Sequence, residues 1–288
     1  MRSWLTTAIL TVFLSAFSPW VLAEDCEQSQ YYFLHGVTKG KFQKWTEAKE
    51  LLIKSVSMCN RFNNWYLLGK VYFELGQFED ATSAFEDARY NATDDDERAL
   101  AIARYAEVQA SQGMINLPLG LLREANKMHS SAPQWIPDLI RKLDNKRVSE
   151  PLSIAQVTNA LSNKSIKLLH LQSKPSLNVS IKFQFDSTKV IKSSKPNIDV
   201  LAKALMADPL RKKSVTIIGH TDARGSGSYN QELSKQRAET IASMLYKRYP
   251  GLKGRIKIEG KGEVQPLYQG NTDWEYQMNR RIEIQLAE

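Results

Sequence analysis

Ile217-Ile-Gly-His-Thr-Asp-Ala-Arg-Gly-Ser-Gly-Ser-Tyr-Asn-Gln-Glu-Leu-Ser-Lys-Gln-Arg237 reads as a strand end, a glycine-bearing loop and the first turns of a helix. Val215, Thr216, Ile217 and Ile218 supply β-branched residues suited to a buried pleated surface. Gly225 and Gly227 let the loop take backbone angles that other residues avoid. Ser228 followed by Gln231 fits a capping box, Asn230 is a second candidate N-cap, and Pro250-Gly251 ends the helix. Leu233, Arg237 and Ile241 recur every four residues and share the face that borders Ala238 and Leu245. An arginine at the edge of an apolar face needs an acid, because a buried unpaired charge is costly. Either Asp222 supplies it, or Asp222 and Arg237 both stand ready for a ligand carrying the opposite pair.

The flanking chain supplies the rest of a sheet. Val179, Ile181, Phe183 and Phe185 alternate with Ser180, Lys182 and Gln184, which predicts a strand with one buried face. A helix follows from about Pro196, with Ile198, Leu201, Ala202 and Leu205 on one stripe, and ends at Asp208-Pro209. Further strands are expected at 255–259 and 281–286. The order β-α-β-α-β-β describes an α+β two-layer sandwich with its helices on one face.

Gly-His-Thr-Asp, then Gly-Ser-Gly-Ser-Tyr-Asn, then Leu-Ser-Lys-Gln-Arg-Ala, together resemble the OmpA-like C-terminal domain, a peptidoglycan-associating module. Gly260-Lys-Gly-Glu263, Pro266 and Asn279-Arg280-Arg281 follow in the family's order, and Phe183-Gln-Phe185-Asp186-Ser187 looks like its first strand. The resemblance spans roughly 177–286 and implies a receptor for diaminopimelate, the zwitterionic residue of Gram-negative stem peptides. It assigns Asp222 to the ligand ammonium and Arg237 to its carboxylate, which a guanidinium fork grips by two parallel hydrogen bonds. Asn230 would add a neutral hydrogen bond, Arg281 a second positive charge at the rim, and Thr221 and Leu233 the floor. A solvated strand start is the plain alternative reading of Asn279-Arg280-Arg281. His220 and Asp222 have no third ligand at metal-binding spacing, so His220 reads as a bracing histidine, and no metal or cofactor is expected.

From Ser29 to about Leu143 the pattern is helical and repeats. Trp65-Tyr-Leu-Leu-Gly69, Tyr72, Gly76, Phe78, Ala81, Ala84, Phe85 and Ala88 resemble the tetratricopeptide pattern of paired helices. Tyr32, Gly36, Trp45, Ala48, Leu51, Leu52 and Ser55 fill the same slots earlier, and Ala106, Gly113, Leu121, Leu122 and Ala125 later. About three repeats are expected, with a capping helix at 135–143 and the acidic run Asp94-Asp-Asp-Glu97 capping another. Such a stack offers a concave face to a protein partner, or serves as a rigid spacer.

Arg2, an apolar run from Leu5 to Phe17 and Val21-Leu22-Ala23 predict a signal peptide cleaved after Ala23. Cys26 would then not be the first mature residue, so a lipid anchor is not expected, and the mature chain shows no run long enough to span a bilayer. Cys26 and Cys59, the only cysteines, fall at neighbouring ends of the first hairpin; in an oxidising compartment they are expected to form a disulfide worth about 3–4 kcal/mol. The expected organisation is a leader at 1–23, helical repeats at 24–145, a linker with a short Ser153-capped helix at 146–176, and the OmpA-like domain at 177–288. The last part carries 19 Lys and Arg against 12 Asp and Glu. No nucleic-acid motif accompanies that charge, so an anionic wall or membrane surface fits it better, beside the plain reading of scattered solvated lysines.

No nucleophile signature, zinc-ligand set or acid pair appears. The expected function is therefore non-catalytic: a periplasmic, peptidoglycan-associated protein on the outer-membrane side that holds a repeat scaffold to the wall. An anchored component of a secretion, motility or surface-assembly machine is the alternative, and a wall hydrolase a more distant one.

Overall fold

The computed structural model describes residues 19–162, 174–184 and 186–287. Three helical hairpins come first: α1 (Pro19–Lys41) with α2 (Trp45–Met58), α3 (Phe62–Glu74) with α4 (Phe78–Tyr90), and α5 (Asp95–Ser111) with α6 (Asn116–Met128). Residues 1–18 of the expected leader lie outside the described residues, and the turn around Ala23 belongs to α1. Glycines set the spacing inside two hairpins. A Cβ on Gly36 would meet Leu52 Cγ at 2.8 Å, and one on Gly69 would meet Phe85 Cδ1 at 2.8 Å, so only a bare backbone lets each helix seat against its partner. The third hairpin closes through alanines, among them Ala99, Ala103, Ala106 and Ala125, all fully buried.

A disulfide joins Cys26 on α1 to Cys59, just after α2, with Cα atoms 5.0 Å apart. Beside it the Asn64 amide donates to Ser29 Oγ at 3.0 Å, and Ser29 donates to the Ser55 carbonyl at 2.8 Å, tying α1, α2 and α3 together. The acidic run caps α5: Asp94 Oδ1 accepts from Glu97 N at 2.7 Å. Its third member, Asp96, accepts from the Ser130 hydroxyl and amide, pinning the end of α6 to the start of α5.

The capping helix α7 (Trp135–Ser149) is longer than the sequence suggests and runs past residue 145 to meet the second half. The segment read as a linker also does more than connect. Its helix α8 (Ile154–Leu161), capped by Ser153, places Val157, Ala160 and Leu161 in the core of the second half. The lysine- and serine-rich remainder, 163–173, lies outside the described residues.

That second half is built on four strands: β1 (Ser176–Val179), β2 (Val215–Gly219), β3 (Ile256–Gly260) and β4 (Ile282–Leu286), in sheet order β1-β4-β2-β3. The pair β2–β3 is parallel; β1–β4 and β2–β4 are antiparallel. Helices α9 (Lys195–Met206) and α10 (Gly227–Arg248) join α8 over one face, where Leu201, Leu205, Ile241 and Leu245 meet Ile217, Ile282 and Ile284. Two departures from expectation matter. The first strand stops at Val179, because Ser180 O accepts from the Asn197 amide and Lys182 N donates to Ser194 Oγ, binding the chain to the start of α9 and leaving an isolated antiparallel bridge between Phe183 and Val190. Ile181 is nevertheless buried and Phe183 half-buried, while Phe185 lies outside the described residues. The expected β-α-β-α-β-β order also omits α11 (Asp273–Asn279), which precedes β4 and opens with a Thr272–Glu275 capping box.

Candidate binding cleft

The close approach of α10 to the end of β2 builds the site. A Cβ at Gly219 would lie 1.9 Å from Ser234 O, and one at Gly260 2.6 Å from Ser234 Oγ, so both positions exclude any side chain. Ser234 Oγ accepts from Gly262 N at 2.9 Å and locks the helix there. Arg237, three residues on, is thereby placed beside the loop that leaves β2. The helix is capped by Ser226, not by Ser228 or Asn230: Gly225, at φ 104°, turns the chain so that Ser226 reaches Tyr229 N. Asn230 is otherwise engaged, its amide donating to the carbonyls of Asp222 and Arg224 and to Glu263, and Gln231 donates to Gly260 O.

A cavity of about 850 Å³ opens at this end of the sheet, a volume suited to a small-molecule or peptide ligand. Asp222, Thr221, Leu233, Asn230 and Arg237 all line it, with residues 180–184 and Asp186 on one side and α11 on the other. The C-terminal turn of α7, through Arg147 and Val148, closes it from the helical half.

Asp222 and Arg237 share the cavity without pairing. Asp222 accepts from Arg224 N and Nε at 3.1 Å and Nη2 at 2.8 Å, and from Arg280 Nη1. Burial alone would raise its pKa, but the hydrogen bonds from Arg224 and Arg280 outweigh it and hold the carboxyl at about 2. Arg237 is only 7% exposed. It donates from Nε to Ser187 O at 3.1 Å and lies 5.0 Å from the Phe183 ring, and among the described residues no carboxylate comes within 4.0 Å. Burial and the neighbouring Arg280 lower its pKa, yet a guanidinium keeps its charge.

Arg280 and Arg281 both depart from expectation. Arg281, expected at the rim, is buried and donates to Asn178 Oδ1, Asn279 O and Gln265 O. Arg280, which the sequence did not assign to the site, is the residue that reaches Asp222. Their orientation follows from α11, whose last turn Arg280 caps. The Thr272-x-x-Glu275 box was the legible signal for that helix. His220 is buried with Nε2 3.2 Å from Glu283 Oε2; burial lowers its pKa more than the Glu283 contact raises it, leaving a neutral brace behind the floor. Among the described residues no group of three His, Cys, Asp or Glu is placed to hold a metal ion.

Residues 182–280 match the model of the OmpA family. They form an OmpA family domain. Over 110 residues the chain is 34% identical to outer membrane porin F of Pseudomonas aeruginosa, covering 38% of this chain and 31% of that protein. Over 103 residues it is 32% identical to the peptidoglycan-associated lipoprotein of Legionella pneumophila, covering 35% and 56%. The chain thus spans from about a third to just over half of the length of these relatives. Among solved structures, the cell wall anchor of the T6SS from Pseudomonas aeruginosa is 25% identical with a TM-score of 0.34, covering 48% of this chain and 98% of that one. The OmpA domain, with α7 and α8 packed onto it, therefore carries the cleft, and the helical hairpins precede it.

Proposed function

We propose that this protein is a non-catalytic anchor that binds peptidoglycan through the OmpA domain, and that the cleft takes the diaminopimelate end of a stem peptide. The observation that carries this reading is Arg237: a buried guanidinium, lining a cavity, with no carboxylate within 4.0 Å among the described residues. A carboxylate entering the cavity supplies the missing partner. Asp222, ionised at any physiological pH, receives the ligand ammonium. To do so it exchanges part of its contact with Arg224 or Arg280, whose guanidinium groups are substantially exposed. Thr221 and Leu233 shape the floor, Asn230 holds the loop, and Arg280 supplies the positive rim expected of Arg281.

Two charge-assisted contacts at roughly 1.5–3 kcal/mol each give weak single-site binding once association costs are met. Many identical stems on one polymer raise the net retention. The relatives named as peptidoglycan-associated lipoproteins support the wall as target. On this reading the protein resides in the periplasm on the outer-membrane side, and its helical hairpins face a protein partner. Retention on purified sacculi tests the site. Arg237→Ala and Asp222→Ala should abolish it and Arg237→Lys should impair it badly, with unfolding temperature preserved. Wild-type retention by all three would overturn the assignment, and soluble fragments released from labelled sacculi would overturn the non-catalytic reading.

A further inference from the structure

Arg255, just before β3, is spent mainly on backbone, with Nη1 reaching Met206 Sδ at 3.7 Å. Its Nη2 lies 2.9 Å from the carbonyls of Leu205, Leu210 and Lys213, and its Nε 3.1 Å from Lys213 O. One guanidinium thus clamps the connection at 207–214 to the one at 249–255 and fixes both as a single surface. What that surface presents is positive charge. Arg211, Lys212, Lys213 and Lys253 are exposed there, joined by Lys247 from the last turn of α10. Among the described residues none of the five has an acid within 4.0 Å, whereas neighbouring Arg248 is paired with Asp199 at 3.3 Å. Asp208 is the single acid in the two connections. Like charges so concentrated repel one another, and a fold that braces them together without acids is built to meet an anionic surface.

The position is as informative as the charge. β2 starts at this end, with Val215 N donating to Arg255 O, and finishes at the cleft. Its five residues, at about 3.3 Å each, set the basic surface roughly 17 Å from the cleft, at the opposite end of the sheet. The cleft consumes none of these cations.

We propose that this end of the OmpA domain is a docking surface for a membrane carrying anionic phospholipid, with the lipid phosphates accepting from Arg211, Lys212, Lys213, Lys247 and Lys253. The choice of a bilayer rests on the envelope reading above. With a stem peptide held at one end of the sheet, the other end faces away from that strand, toward the adjoining bilayer. The domain then bridges wall and membrane with its two ends.

Co-sedimentation of the full chain with vesicles tests this. Wild type should partition onto vesicles containing phosphatidylglycerol at low salt, leave them at high salt, and ignore vesicles of phosphatidylcholine alone. The double variant Arg211→Glu, Lys213→Glu should lose at least about tenfold in partitioning while keeping sacculus retention, which also reports that it folds. Equal binding to both vesicle types, or full binding by the double variant, overturns the proposal. So does loss of sacculus retention with vesicle binding intact, which would make the patch a wall-polymer surface. Arg237→Ala separates the two readings: it should lose the sacculi and keep the vesicles, so failure of either leaves the other legible.

Discussion

Arg147 on α7 and Arg237 on α10 are buried almost equally, at 8% and 7%, yet their surroundings are opposite. Arg147 lies in a closed network. Asp144, fully buried, accepts from Arg147 Nε at 3.1 Å, from Tyr268 Oη at 2.6 Å and from Arg123, while Arg147 also reaches Asn178 O at 3.3 Å. Burial pushes the Asp144 carboxyl up, but Arg123 and Arg147 together outweigh that and hold it below its ordinary range. Arg237 has one carbonyl, Ser187 O, and the Phe183 ring beneath it. The first arrangement joins the helical hairpins to the OmpA domain; the second leaves a charge for something from outside. Burial by itself does not distinguish a structural charge from a binding charge. The partner list does.

Removing the acid from the closed network should have the largest effect. Asp144→Ala leaves Arg123 and Arg147 facing each other without compensation and strips Tyr268 of its acceptor, at an expected cost of about 3–5 kcal/mol. Denaturant unfolding measures it. A loss below about 1 kcal/mol would mean that the junction is solvated and that the two halves are not held by these charges.

Arg237→Met should behave in the opposite way. An uncompensated buried cation is replaced by an apolar chain of similar length, so stability should stay within about 1 kcal/mol of wild type or rise. Sacculus retention should be lost in the same variant. A large destabilisation would show that Arg237 is structural, and the contrast with Arg147 would fail.

Much of this was legible in the sequence, and the gaps have physical causes. The hairpins showed through because small residues at Gly36, Gly69 and Ala88 recur where helices touch, and β2 because its β-branched run ends in Gly219, the point at which α10 must approach. Asp222 and Arg237 line one cavity for that same steric reason. The membership of α8 in the core was not legible, since an eight-residue amphipathic helix carries no mark of its partner. Nor was the closure of the cleft by α7, which depends on Trp274 donating to Asn145 at 2.8 Å and on the Asp144 network, contacts 124 or more residues apart. The places of Arg280 and Arg281 were missed because α11 was overlooked, and there the capping box was visible.

The smallest effect expected concerns His220, which stands behind the cleft floor. Its Nε2 contacts Glu283, but burial dominates and lowers its pKa from the ordinary 6.5. The unfolded chain takes up a proton at about pH 6.5, whereas the folded chain does so only at lower pH. Between those values the unfolded state binds more protons, so the contribution is fully present above about pH 6.5 and declines as pH falls below it. The pairs that hold Asp144, Asp222 and Glu283 ionised decline only in more acid solution, because their folded pKa values are lowered carboxylate ones. Thermal unfolding followed from about pH 8 to pH 5 should therefore show a shallow loss of stability that His220→Gln reduces. The difference between wild type and variant is the quantity to read. Identical slopes would mean that His220 titrates alike in the folded and unfolded chain, and a difference of opposite sign that it is protonated and ion-paired to Glu283 in the folded state.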